Sequence, residues 1–121
     1  MPPEVDVHRV DTLTDLRYQF WYVWTRLKEV GIEYLAADCL YPVESNFLTE
    51  CVLQDERSRQ WQAPYPFIDI STLLLACGKD PKAEYDRLED ELPKHNPLMD
   101  ARQSARIMIE CFNQLNILPI Y

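Results

Sequence analysis

Leu16, Phe20, Val23, Leu27 and Val30 recur at gaps of four and three residues, so a helix over this segment carries one continuous apolar stripe. Trp21 and Trp24 widen the stripe. Thr12-Leu13-Thr14-Asp15 has the form of a capping box at its start, and Gly31 is placed to end it. A stripe of that length is stable only against another layer, so the rest of the chain must supply apolar surface to cover it.

Two short apolar runs answer that demand. Ile32 to Ala37 and Phe67-Ile68-Asp69-Ile70 each suit a buried strand. Pro42 fits the first turn of a second helix whose apolar face is Phe47, Leu48, Cys51 and Val52, and the charged stretch from Asp55 to Gln62 ends it. A third helix carries Leu73, Leu74 and Cys77 and stops at Gly78. Residues 79–94 are charged, hold Pro81 and Pro93, and read as a loop with at most one helical turn. Asn96-Pro97 then caps a last helix with a stripe of Leu98, Ala101, Ala105, Met108, Phe112 and Leu115. The order is helix, strand, helix, strand, helix, helix, an α/β pattern. Two strands are few for such a sheet, and a two-stranded sheet is seldom stable by itself.

The chain has 121 residues, only two of them glycine, and shows no flexible linker, so one compact unit over residues 13–121 is expected behind a flexible arm at 1–12. No segment approaches the roughly 20 apolar residues of a membrane span, and the N-terminal residues lack the pattern of a signal peptide. The expectation is a soluble, cytoplasmic protein with no membrane partner. Cys39, Cys51, Cys77 and Cys111 have wide, irregular gaps that fit no zinc spacing, so free thiols are expected, buried at 51, 77 and 111. A net charge of −8 argues against a broad basic face for nucleic acid. It leaves room for a metal-dependent nuclease, whose clustered carboxylates are offset by bound cations.

His95 and Asp100 bracket the start of the last helix. A carboxylate there can hold a divalent cation, and a neighbouring imidazole can take a proton from water, which are parts for hydrolysis of a phosphodiester. Spacing alone leaves a plainer reading open, in which Asp100 complements the positive end of the helix and His95 is a loop residue.

His95-Asn96-Pro97-Leu98-Met99-Asp100, followed by Ala101-Arg102-Gln103-Ser104-Ala105-Arg106, resembles the last catalytic motif of the DEDDh family of 3′–5′ exonucleases. In that family a histidine precedes an aspartate by five positions, with small residues just after it on a helix. The segment from Ala36 to Leu48 stands where the family has its middle motif, and Phe67-Ile68-Asp69-Ile70 resembles its later strand. The resemblance covers roughly residues 13–115, and it is to the short bacterial and phage exoribonuclease-like members in particular.

The resemblance implies a partial ribonuclease H-like α/β fold, the C-terminal half of an exonuclease domain, because the opening strands and their Asp-x-Glu pair have no counterpart here. In the family that pair supplies key ligands for two Mg²⁺ or Mn²⁺ ions, and the reaction is hydrolysis of nucleotides from a single-stranded 3′ end of RNA or DNA. By the same resemblance His95 is the general base, Asp100 a metal ligand, and Asp38 or Glu44 a further ligand. Asp38 is the right residue type, whereas Glu44 fits the register of the Phe47-Leu48 pair. Asp69 and Arg102 are candidate supporting or substrate contacts. Little activity is expected of the chain by itself. A complementing N-terminal half or a second copy is the expected partner. The competing expectation is a non-catalytic interaction module that pairs through an exposed strand edge.

Overall fold

The computed structural model describes residues 10–117 and holds five helices and two strands among them. The chain divides into two compact units, one over His8–Ile68 and the other containing Asp69–Tyr121. The break falls at the end of the second strand.

The first unit is built on α1 (Leu13–Glu29). Thr12 caps it, its Oγ1 accepting the Asp15 amide at 3.1 Å. Asp15 in the first turn and Arg26 and Lys28 in the last complement the helix dipole. The helix ends where Gly31 takes φ 94°, with the Gly31 and Ile32 amides donating to Lys28 and Leu27 carbonyls. Its buried residues are Trp21 and Trp24, not the Leu16–Val23–Val30 line, all three of which are exposed. The indoles that widen the stripe bury the most apolar area, and Phe20 and Leu27 of the stripe pack around them.

Strand β1 (Leu35–Ala37) and strand β2 (Phe67–Asp69) form a two-stranded parallel sheet, shorter than the two apolar runs that encode it. Between them lie α2 (Val43–Leu53) and a further four-residue helix, α3 (Glu56–Arg59). The charged stretch after α2 thus re-forms a helical turn. Trp21, Trp24 and Cys51 are the centre of this unit's core, with Phe20, Leu27, Leu35, Phe47, Leu48 and Val52 around it. Phe20 and Phe47 meet edge to face at 5.2 Å. The Trp24 indole N–H donates to the Gln62 carbonyl at 2.8 Å, which satisfies the one polar atom of a nearly buried ring.

In the second unit α4 (Ile70–Ala76) packs on α5 (Pro97–Gln114). The buried residues of α4 are Ile70 and Leu74, and those of α5 are Met99, Met108, Cys111 and Phe112. Ala101 and Ala105 of the expected stripe are exposed. A short 3-10 turn over Glu89–Glu91 is the single helical turn expected between residues 79 and 94, and it too packs on α5.

The architecture is mixed α/β and mostly helical. No helix among the described residues is long and apolar enough to cross a membrane. The expected arm at 1–12 lies outside the described residues up to position 9.

Candidate functional site

The start of α5 is set by its own sequence. Asn96 caps the helix, its Oδ1 accepting the Leu98 and Met99 amides at 3.0 and 3.2 Å, and Pro97 occupies the first helical position with φ already suited to it. His95, just before the cap, adopts the left-handed conformation with φ 65°. Histidine is among the side chains that tolerate this region better than most. The turn brings the His95 amide to Asp100 Oδ1 at 3.2 Å. His95 and Asp100 are therefore brought together at one helix end, with His95 exposed and the Asp100 side chain 40% exposed.

Arg87 completes this end. Its Nη2 lies 2.9 Å from Asp100 Oδ1 while its Nη1 donates to the Glu91 carbonyl at 2.9 Å, and its side chain is only 14% exposed. Both contacts of the Asp100 carboxylate, from His95 and from Arg87, fall on Oδ1. The Asp100 carboxylate thus faces the positive end of α5 and the Arg87 guanidinium together.

A second ion pair ties the preceding segment to the helix. Arg106 meets Glu91 through Nε to Oε2 at 2.7 Å and Nη2 to Oε1 at 2.8 Å, and the Leu88 amide also donates to Oε1 at 2.9 Å. Arg106 reaches the Asp86 carbonyl, Gln103 the Tyr85 and Asp86 carbonyls, and Arg102 the Asp90 carbonyl. Residues 85–91 are thus strapped to α5 by its own polar side chains. The hydrogen bonds from Arg106 hold the Glu91 carboxyl at about 2, against a burial that pushes the other way.

The remaining candidates are placed as follows. Asp38 follows β1 and Glu44 lies in the first turn of α2, both exposed and both in the first unit. Asp69 sits at the end of β2 and the cap of α4, where its oxygens accept from Ser71 Oγ at 2.6 Å and Thr72 Oγ1 at 2.7 Å. That is the bonding of a turn aspartate. Arg102 binds the Asp90 carbonyl at 3.2 Å, within the strap.

Among the described residues, no three His, Cys, Asp or Glu side chains gather in a group able to hold a metal ion. In the second unit the donor set at the helix end is the Asp100 carboxylate beside His95, fewer donors than a two-ion site takes. Sequence reasoning did not reach Arg87, Glu91 or Arg59. Arg87 and Glu91 lie in an irregular segment with no period to orient them, and Arg59 lies in a run of charge that reads as solvated. Comparison of the chain with protein-family models, curated proteins and solved structures gives no match.

Proposed function

We propose that the chain carries the histidine–aspartate end of a 3′–5′ exonuclease site of the DEDDh kind, acting on RNA or DNA, with the remaining carboxylates contributed by another polypeptide segment. The observation that supports this reading is the bond from the His95 backbone amide to Asp100 at the start of α5, which sets the two residues at one helix end with Oδ1 engaged and Oδ2 in neither contact. Oδ2 is the oxygen open to a divalent cation, which would have to compete with the Arg87 charge on Oδ1. His95 would take the proton from the attacking water, and Asp100 would hold Mg²⁺ or Mn²⁺. When bound, such ions offset phosphate charge and help form the nucleophile. Arg102 and Asp69, in the same unit, would be supporting groups. The two-strand sheet favours a partner in the same reading, because parallel strands are normally flanked by neighbours. That partner would be a complementing segment or a second copy.

The test is hydrolysis of a 3′-labelled single-stranded oligonucleotide in Mn²⁺. The chain alone is expected to release little nucleotide. Robust EDTA-sensitive degradation abolished by His95→Ala would show a complete site and overturn the need for a second segment.

A further inference from the structure

A different part of the molecule carries a guanidinium with no acidic partner among the described residues. Arg59 of α3 is 6% exposed, yet none of the ion pairs among the described residues involves it. Its Nη1 donates to the Cys51 carbonyl at 2.6 Å and to Gln54 Oε1 at 3.2 Å, both neutral acceptors. Its guanidinium lies over the Trp21 ring at 5.0 Å and the Tyr18 ring at 5.1 Å. Buried charges are ordinarily paired, because removal from water costs several kcal/mol.

A second arginine shares the neighbourhood. Arg17 has a buried Nε with no hydrogen-bond partner and, like Arg59, is in none of the described ion pairs. Both guanidiniums act on Cys51, which burial pushes up while Arg59 and Arg17 pull it back. Two cations without a carboxylate partner among the described residues stand out in a chain of net charge −8.

Arg59 opens onto a groove of about 470 Å³ lined by Tyr18, Gln19, Trp21 and Tyr22, all within the first unit. It is an open groove, not an enclosed cavity. Its walls are aromatic faces, Tyr18 and Tyr22 being half exposed, and Arg26 stacks on the Tyr22 ring at 5.0 Å and donates to its hydroxyl. Aromatic faces beside a guanidinium match a ligand with a flat ring and an anionic group. The Gln19 amide adds a donor and an acceptor for a ring edge.

We infer that this groove is a binding site for a nucleotide, its phosphate met by Arg59 and its base stacked on Tyr18 or Tyr22. The inference does not depend on the His95–Asp100 reading.

Isothermal titration with adenosine 5′-monophosphate, in EDTA and repeated on Asp100→Asn, tests it. The monophosphate is expected to bind with a Kd below about 1 mM and equally well in Asp100→Asn. Adenosine and inorganic phosphate, offered separately, are each expected to bind at least about tenfold more weakly, as is the monophosphate to Tyr22→Ala or Tyr18→Ala. These tyrosines are exposed enough for the fold to persist, which circular dichroism checks. Arg59→Lys, which keeps charge but loses the planar fork, is expected to weaken the monophosphate and leave adenosine unchanged. Absence of binding at 1 mM, adenosine or phosphate alone binding as tightly as the monophosphate, or indifference to both tyrosine changes would overturn it. Binding of an acidic peptide in preference to the monophosphate would also overturn it.

Discussion

Glu91 and Arg106 face each other through two nearly equal bonds, 2.7 and 2.8 Å, with the Glu91 side chain 3% exposed and the Arg106 side chain 26% exposed. The pair joins the 85–91 strap to α5, whose first turn holds Asp100. Removing one partner leaves the other desolvated, and Arg106 keeps some water and a contact to Glu110 at 3.0 Å. Glu91→Ala is therefore expected to cost about 3 kcal/mol, the low end for a broken buried pair. Urea unfolding of the two proteins gives the number.

The same pair sets a pH dependence. The Glu91 carboxyl is held at about 2 against an ordinary 4.5, so the unfolded chain binds a proton more readily than the folded one. Its stabilisation is fully present above pH 4.5 and is lost as pH falls toward 2. Thermal unfolding between pH 5 and 2 should show a smaller loss of Tm for Glu91→Gln than for the native chain. An equal loss in both would contradict the assignment.

The four thiols should separate by reactivity. Cys39 is exposed, whereas Cys51 and Cys111 are fully buried. Burial, then the hydrogen bond with Cys77, pushes Cys111 up to about 11, and burial raises Cys51. The thiolate is the reacting form. Ellman's reagent is expected to label Cys39 rapidly and Cys51 and Cys111 only on unfolding, with peptide mapping to assign them.

How much of this was legible in the sequence depended on what each residue signals locally. Thr12, Gly31, Asn96 and Pro97 act through backbone bonds close in sequence, and the helix ends they mark stand where the pattern put them. Trp21 and Trp24 of the α1 stripe and Met108 and Phe112 of the α5 stripe are buried as expected, whereas Leu16, Val23, Ala101 and Ala105 are exposed and Met99 is buried instead, because packing ranks side chains by volume and fit as well as by hydropathy. Arg106 meets Glu91 across 15 positions, a contact that no local pattern signals. Arg87 and Arg59 carried no signal, since a charged residue in an irregular stretch looks the same whether it is buried or solvated.

Packing on the second unit gives a direct check of its core. Met99 is fully buried beside the turn that holds Asp100. Met99→Ala should cost about 2–5 kcal/mol, and the loosening should reach the start of α5. Hydrogen exchange at the His95 and Asp100 amides is expected to quicken in this variant more than exchange at Cys51.

Arg87 sits where a cation at Asp100 would compete with it. Arg87→Ala removes a positive charge 2.9 Å from Oδ1 and should tighten Mn²⁺ binding several-fold, while costing about 1 kcal/mol of stability. Weaker binding in this variant would mean that Arg87 instead orients the carboxylate.

The most direct test of the His95–Asp100 reading is Mn²⁺-induced broadening of backbone amide resonances in the ¹⁵N-labelled chain. The reading expects broadening centred on His95 to Ala101, abolished by Asp100→Asn and reversed by EDTA. Broadening centred elsewhere, or unchanged by Asp100→Asn, would contradict it.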